Sequence, residues 1–168
     1  MTRYGLLLGL LAAACSDPIR TRAMDELGGE APGVPAGPLH RPGQPCLVCH
    51  GEDGPSESRF SFAGTIYARP STAEPLAGAR VRFIDSSGAQ YAVSSNCAGT
   101  FYVGDTNFRP VWPVWMKVEF GDLTQEMVTP SFREGSCGAC HQDPATPTSV
   151  GHLYVGDDRS TFPKGNCP

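Results

Sequence analysis

Short runs of alternating apolar and polar residues, separated by turn residues, occupy the middle of the chain from Phe60 to about Val128. Alternation with a period of two is typical of strands that bury one face, and clusters of Gly, Pro, Asn and Asp are typical of turns. The candidate strands are Ser61 to Ala68, Ala79 to Ile84, Gln90 to Val93, Thr100 to Val103, Val114 to Phe120 and Leu123 to Met127. The pattern predicts a mainly β fold, a single β-sandwich of about six to seven short strands with irregular or short helical segments at both ends.

The N-terminus has a different pattern. Arg3 precedes a ten-residue apolar run that is too short to span a bilayer, which predicts a signal peptide over residues 1–14. The run ends in Leu-Ala-Ala-Ala-Cys at Leu11 to Cys15, which resembles the lipobox of bacterial lipoproteins, although Ala12 stands where that family usually has a large aliphatic residue. The resemblance implies lipidation of Cys15 and an outer-membrane lipoprotein that faces the periplasm or the cell surface. Ordinary cleavage after Ala14, which would give a soluble periplasmic protein, is the alternative.

The segment that follows, residues 15–45, contains several Pro and Gly residues, few large apolar residues and no period, apart from a stretch around Arg22 to Leu27 that is compatible with a short helical turn. It is predicted to be a flexible tether between the lipid anchor and the folded part of the chain. A disordered tail without a tethering role is an equal alternative. The remaining divisions are a segment at 46–59, the sandwich at 60–130, and a segment with the C-terminal tail at 131–168; the two segments that flank the sandwich each carry a motif that is described below.

Turn sequences in the predicted sandwich follow a recognisable order. The stretches are Ala63 to Tyr67, Pro75 to Val81, Asp85 to Gly88, and Ala98 to Phe101. Together they resemble the carboxypeptidase-regulatory-like, prealbumin-type sandwich modules over about 70 residues, a size typical of a small β domain. Because such modules are scaffolds, the resemblance implies a fold and no reaction.

Two five-residue motifs stand on either side of the sandwich. The first motif, Cys46 to His50, reads Cys-Leu-Val-Cys-His, and the second motif, Cys137 to His141, reads Cys-Gly-Ala-Cys-His. Both are similar to the Cys-x-x-Cys-His motif of c-type cytochromes. That resemblance implies that Cys46, Cys49, Cys137 and Cys140 form thioethers to the vinyl groups of two covalently bound haem c groups. It also implies that His50 and His141 are the proximal ligands of the haem irons.

Other uses of paired cysteines are less well matched. Four cysteines can form a zinc or iron–sulfur site, but such a site does not require a His directly after each pair. A redox-active Cys-x-x-Cys pair is typical of a βαβ context, which this sequence lacks. Disulfides within each motif would close very small rings with poor geometry.

The four histidines of the chain all lie close to one of the two motifs. His40 precedes the first motif and His152 follows the second, and a loop of about ten residues can return a side chain to the other face of a bound haem at modest entropic cost. We therefore expect His40 and His152 to be the distal iron ligands, without an assignment to a particular haem. Met127 is the main rival as sixth ligand, since a thioether can also ligate haem iron.

The cysteine count is odd, at seven, so disulfides alone cannot use every thiol. With Cys15 assigned to lipid and four cysteines to haem, Cys97 and Cys167 remain and are expected to pair. Two separate thiols are the alternative, and they are uncommon in an exported protein.

Composition limits the function classes. Pro and Gly are abundant, at 16 and 20 residues, and charged residues make up only 18%, which argues against long helices. The net charge of -4 argues against nucleic acid as a partner. The resulting hypothesis is electron transfer by a small exported dihaem cytochrome without catalytic residues. Its partners would be redox proteins, the membrane through the lipid anchor, or further copies of itself. A dihaem peroxidase-like enzyme with one open haem, or a sandwich binding module with accessory haems, are the alternatives.

Overall fold

Eight strands in two sheets build the part of the chain that the computed structural model describes, which is residues 17–30, 33–142, 147–164 and 167. The first sheet has the order β2 (Thr72–Pro75), β1 (Phe60–Arg69) and β5 (Thr100–Gly104), and β8 (Leu153–Tyr154) also pairs with β1 in parallel. The second sheet has the order β4 (Gln90–Ser94), β3 (Arg80–Asp85), β6 (Val114–Phe120) and β7 (Leu123–Glu126). The predicted mainly β sandwich is confirmed.

The core lies between the two sheets because each strand buries alternate side chains. In β3, Val81 and Phe83 are buried whereas Arg80 is exposed. Phe83 stacks at 4.6 Å, centroid to centroid, on Phe62 of β1, and it also contacts Phe101 of β5. The core therefore joins both sheets around a small group of phenylalanines, which gives β1 a rigid setting in the first sheet.

The two strands that the sequence pattern did not predict are β2 and β8. Both are short, at four and two residues, and neither carries an alternating apolar pattern. They form because β1 is ten residues long and offers free backbone groups on its edge, with Tyr67 opposite Pro75 on one side and Tyr154 on the other. Such pairing depends on the neighbouring strand, which local sequence does not reveal.

The expectation of a flexible tether over residues 15–45 needs correction for its described part. Helix α1 spans Pro18–Leu27, with Pro at its first position and the Asp17 carboxylate accepting hydrogen bonds from two backbone N–H groups as an N-cap. The Arg20 guanidinium donates to the Val48 carbonyl of the first motif, at 3.0 Å. The Asn96 amide donates to the Pro38 carbonyl, at 2.7 Å. These contacts fold the segment back onto the sandwich. Cys15 and the predicted signal peptide lie outside the described residues.

The predicted pairing of Cys97 with Cys167 is the one that the structure contains. Their Cα atoms lie 5.1 Å apart and the two sulfurs are joined in a disulfide. Cys97 belongs to the turn that precedes β5, so the bond attaches the C-terminal end of the chain to the first sheet. Because the two residues are 70 positions apart, the bond closes a long loop and restricts the unfolded chain considerably.

No helix within the described ranges is both long and apolar enough to cross a membrane.

Asp85, at the end of β3, organises the turn to β4. Its carboxylate is buried and accepts hydrogen bonds from the Ser87 hydroxyl, from the Ser87 and Ala89 backbone N–H groups, and from the Val111 N–H on its other oxygen, at 2.6 to 2.9 Å. These donors, the Ser87 hydroxyl first and the Val111 N–H next, hold the pKa of Asp85 below its ordinary value of 3.8. The charged form is therefore the one that the fold stabilises.

Replacing this carboxylate, as Asp85→Asn, is expected to lower the free energy of unfolding at neutral pH, because an amide cannot accept the same set of hydrogen bonds. Because the pKa of Asp85 is lower in the folded state, its ionised carboxylate stabilises the fold fully at pH values above the ordinary pKa of 3.8. This stabilisation is lost as the pH falls through the pKa of the folded state. The difference between wild type and variant should therefore shrink in acid. Urea unfolding over a pH series measures it, with exposed Asp122→Asn as control. An equal difference at every pH would contradict the prediction.

Candidate functional site

Both motifs lie against the middle of β1. Gly135, just before the second motif, accepts a hydrogen bond from the Ala63 N–H at 3.0 Å, and Ser136 pairs with Ala63 in a parallel bridge. On the first-motif side, the Gly43 N–H donates to the Thr65 hydroxyl at 2.7 Å. Because both chain segments dock on neighbouring residues of one strand, the fold brings together two motifs that are far apart in the sequence.

The contact between the two motifs is close enough to require a glycine. A methyl group at Gly138 would lie 2.9 Å from the Gln44 carbonyl carbon and 3.1 Å from the Pro45 nitrogen, directly before Cys46. A Cβ at Gly64 of β1 would similarly lie 2.8 Å from the Cys137 Cβ. Contacts this short leave no room for a side chain. The backbone of the second motif therefore touches the two residues that directly precede the first motif.

Each motif forms the same hydrogen-bonded turn. In the first, the Cys46 carbonyl accepts from the N–H groups of Cys49 and His50, at 3.2 and 2.9 Å. In the second, the Cys137 carbonyl accepts from Cys140 and His141, at 3.2 and 2.8 Å. The first turn is the short helix α2 (Leu47–His50), and the second is a 3₁₀ turn (Cys137–Ala139). One turn of helix places the two thiols and the imidazole of each motif in equivalent positions.

The histidine rings of the two motifs are held in the same way. His50 contacts the Ser58 carbonyl through Nδ1 at 2.8 Å, and His141 contacts the Gly151 carbonyl through Nδ1 at 3.0 Å. A carbonyl oxygen can only accept, so Nδ1 carries the proton in both rings and Nε2 of the neutral ring has a free electron pair. Burial lowers the pKa of His141, which favours this neutral form. An N–H bonded to a backbone carbonyl is the usual arrangement of a metal-ligating histidine.

A cavity of about 700 Å³ opens beside the first motif. Its lining includes Cys46, Cys49 and His50, together with His40 and the aromatic ring of Phe60. The volume lies within the range of about 300 to 1,000 Å³ that is usual for cofactor sites. The predicted thioether and axial residues of one haem thus surround a single space.

His40 and His50 face each other in this cavity. Their ring centroids are 5.8 Å apart. With metal–nitrogen bonds of about 2 Å on each side, two imidazoles that ligate one metal ion have centroids roughly 6 Å apart. The spacing is therefore compatible with two imidazoles that bind one metal ion, and His40 lies in the cavity of the first motif. The Gly37 N–H donates to Nδ1 of His40 at 3.2 Å, so ligation through Nε2 requires that hydrogen bond to open and the proton to move to Nδ1.

The surroundings of the second motif are tighter. Cys140 is exposed, whereas Cys137 packs against the core. Burial raises the pKa of the Cys137 thiol to about 12, with a smaller contribution from the neighbouring Cys46. Burial likewise raises the pKa of Cys46 to about 11. Both thiols are therefore neutral at physiological pH, in contrast with the lowered pKa of redox-active Cys-x-x-Cys pairs.

A site with four cysteine ligands is not formed by this arrangement. Among the described residues, no group of three or more His, Cys, Asp or Glu side chains converges closely enough to hold a metal ion. Zinc with tetrahedral thiolate ligation requires such convergence. The geometry favours two separate sites, each with its own pair of cysteines and its own histidine.

The other two predicted ligands lie in different surroundings. His152 is buried, its Nε2 donates to the Arg69 carbonyl at 2.8 Å, and its ring packs on Tyr67 at 4.6 Å between centroids. Ligation of a second haem iron by Nε2 would require that bond to break. Met127 directly follows β7, on the edge of the second sheet, whereas both motifs dock on β1 of the first. The distal role of His152 stays a prediction.

Sequence reasoning did not find several residues of the first site. Met24 and Leu27 of α1 form part of the cavity lining, as does Arg41. Phe60 stacks on the His50 ring at 4.4 Å, and Tyr102 of β5 stacks on Phe60 at 4.9 Å. The sequence indicated a short helical turn around Arg22 to Leu27 within the expected tether, but nothing in it linked Met24 to the first motif. The alternation in β1 and β5 marked Phe60 and Tyr102 only as strand residues.

Adding a methyl group where the motifs meet should destabilise the protein. Gly138→Ala is expected to lower the free energy of unfolding by about 1 to 3 kcal/mol, because the new Cβ meets rigid backbone. Gly29→Ala is the matched control, since a Cβ there meets nothing within 4 Å. Urea unfolding of both variants measures the difference. Equal stability of the two would show that the motifs are not in contact.

In comparisons with protein-family models, curated proteins and solved structures, nothing matches this chain.

Proposed function

We propose that this protein is an exported dihaem c-type cytochrome that transfers electrons and has no catalytic residues. The observation that carries the proposal is the repetition of one Cys-x-x-Cys-His turn. Both copies have the same backbone hydrogen bonds, and both histidines have Nδ1 bound to a carbonyl and Nε2 free. A single copy occurs easily by chance, whereas two copies with the same turn and the same ring orientation indicate a shared ligand chemistry.

Each of the two haem c groups would be held by its own set of residues. Cys46 and Cys49 would attach one, with His50 and His40 as its axial ligands, and Cys137 and Cys140 would attach the other, with His141 proximal and His152 as the proposed distal ligand. Haem iron with two axial ligands supplies one-electron exchange without an open position for substrate. The chain itself orients the imidazoles, through the Ser58 and Gly151 carbonyls, and α1 contributes Met24 and Leu27 to the lining of the first site.

Contact between the motifs favours direct electron exchange within one molecule. A sandwich whose two ends emerged on opposite sides would favour a relay between partners. Here Gly138 lies against the backbone just before Cys46, so the two attachment turns share one side of the first sheet. Cofactors attached at neighbouring cysteines are held near each other by covalent bonds. This placement supports a protein that holds two electrons, one on each haem, and transfers them one at a time, in preference to a long relay between partners.

The proposed partners follow from charge and from the N-terminus. A net charge of -4 favours redox proteins with a basic docking patch. Lipidation of Cys15 would anchor the protein in the outer membrane, and export provides the oxidising compartment in which a disulfide such as Cys97–Cys167 persists.

Haem content tests the proposal most directly. Protein produced with a haem-attachment system is expected to carry two covalently bound haems per chain, measured by intact mass and by the absorption of the pyridine complex. The full-length chain is used, and the double variant Cys97→Ala/Cys167→Ala, which leaves both motifs intact, is the control that should still carry two. A mass without haem, together with stoichiometric zinc, would contradict the proposal.

A dihaem redox enzyme is the second candidate, and the position of His152 favours it. Because this ring is bonded to the Arg69 carbonyl and packed on Tyr67, the second haem would have an open sixth position if His152 stayed there. A peroxidase-like enzyme requires such a haem. A resting spectrum in which one haem is high-spin and binds cyanide distinguishes the enzyme from the electron carrier, whose haems are both low-spin.

A further inference from the structure

Arg41 has an unusual backbone and an unusually complete set of contacts. Its φ is 50°, the only positive value of a residue other than glycine within the described ranges. The side chain is only 23% exposed, and its charge is paired with the partly exposed Glu30 carboxylate. Left-handed conformations of such residues cost free energy and persist where the surroundings enforce them. This one directly follows His40 and lines the cavity of the first motif.

The Arg41 guanidinium joins three parts of the wall around that cavity. Nε donates to the Glu30 carboxylate at 2.9 Å, and Nη1 donates to the Gln44 side chain at 2.9 Å. Nη2 donates to the Gly28 carbonyl at 2.6 Å, and Nη1 also reaches the Leu27 carbonyl at 3.4 Å. The last two carbonyls belong to the C-terminal end of α1. Gln44 precedes Cys46 by two positions, so one side chain connects the end of α1 to the approach of the first motif.

Helix α1 requires such an external contact. It has ten residues and none of them is buried. Helices of this length are marginal in water, and the last carbonyls of a helix lack partners within it. A cation at this end satisfies those carbonyls and is favoured by the helix dipole. Near the other end, Arg20 donates to the Val48 carbonyl. Two arginines therefore hold α1 over the cavity, where Met24 and Leu27 form part of the lining.

We propose that Arg41 is a positioning residue that closes the first haem site and holds His40 as its sixth ligand. The inference rests on the proposed function. The left-handed backbone at Arg41 sets the direction in which the preceding His40 leaves the chain, and the Gln44 N–H bond to the Arg41 carbonyl, at 3.3 Å, keeps that turn closed. With the guanidinium in place, α1 excludes small ligands from the distal side, and His40 stays opposite His50.

The test uses full-length haem-loaded protein and three variants of the same position. Arg41→Gln removes the charge, Arg41→Lys keeps the charge without the planar set of donors, and Arg41→Gly removes the side chain while accepting the left-handed backbone. Arg22→Gln is the matched control, because Arg22 is on α1 itself, is 82% exposed and forms an ion pair with Glu26 of the same helix. The readouts are the spin state of each haem, the affinity for added imidazole, and amide hydrogen exchange of α1.

Arg41→Gln and Arg41→Gly are expected to make one haem partly high-spin and to raise its imidazole affinity roughly tenfold or more, as loss of a charge-assisted hydrogen bond predicts. Exchange of the α1 amides should become faster. Arg41→Lys should show a smaller change, and Arg22→Gln none. Faster exchange without any change in spin state or imidazole affinity would overturn the inference, as would wild-type behaviour in all three variants. The two contradicting results can be observed only in protein that carries two haems. They are therefore distinguishable from failure of the proposed function, in which haem is absent from the wild type and from every variant.

Discussion

Removal of the second pair of cysteines, as Cys137→Ala/Cys140→Ala, is expected to leave a protein with one haem that is reduced in a single one-electron step. In the wild type, the reduction curve should extend over a wider range of potential than the curve obtained by adding the two single-haem curves. The reason is electrostatic: the first electron repels the second when the cofactors are near each other. For unit charges about 10 Å apart at an effective dielectric constant of about 20, the repulsion is about 1.7 kcal/mol, which is on the order of 70 mV for one electron.

The matching variant, Cys46→Ala/Cys49→Ala, supplies the second single-haem curve. Potentiometric titration followed by absorption measures all three proteins under the same salt conditions, since salt screens charges that are exposed to solvent. If the two single-haem curves add up to the wild-type curve, the haems are independent and the contact at Gly138 has no functional consequence. A variant that carries no haem at all would instead show that attachment at one motif depends on the other.

Replacing His40, as His40→Ala, is expected to convert one of the two haems from low-spin to high-spin. The physical reason is the 5.8 Å spacing of the His40 and His50 rings, which fits two axial ligands of one iron. Half of the low-spin absorption should be lost, and the open position should bind imidazole or carbon monoxide. Resonance Raman or absorption spectroscopy of the oxidised protein measures the change, with added imidazole restoring the low-spin spectrum.

His152→Ala is the companion variant. Because His152 is the proposed distal ligand, its replacement should make the other haem high-spin. Because its ring is buried and packs on Tyr67, the replacement should also lower the stability of the fold. A loss of stability with an unchanged spectrum would identify His152 as a core residue. An unchanged spectrum in His40→Ala would remove His40 as a ligand. In that case Met24, which lines the same cavity, and the earlier candidate Met127 become the residues to replace next.

The fold was predictable from sequence where the strands bury one face. The candidate strands from Ala79 to Ile84 and from Val114 to Phe120 agree with β3 and β6 to within one residue, because alternation along a half-buried strand is a local property. Strand β8 and helix α1 were not predictable in the same way. The first depends on the free edge of β1. The second is held by contacts with distant residues, from its own Arg20 to the Val48 carbonyl and from Arg41 to the Gly28 carbonyl.

In the candidate site, too, some features follow from local sequence and others only from the tertiary structure. The spacing within each motif is a covalent property of the chain, so Cys46, Cys49 and His50 were identified by their order alone. Which of His40, His152 and Met127 lies near which motif depends on how loops return, and many loop paths have similar closure entropy. The structure places His40 in the cavity of the first motif and places His152 on Tyr67.

By itself the sequence determined the residues on which the proposed function rests: two Cys-x-x-Cys-His motifs, four histidines, and a sandwich between the motifs. Tertiary structure alone decided that the motifs touch, that α1 covers the first of them, and that Arg41 joins that cover to the wall of the cavity. The reason is that ligand spacing is set by a few consecutive covalent bonds. Contact between residues some 90 positions apart is set by the docking of both segments on one strand, which only packing of the whole chain determines.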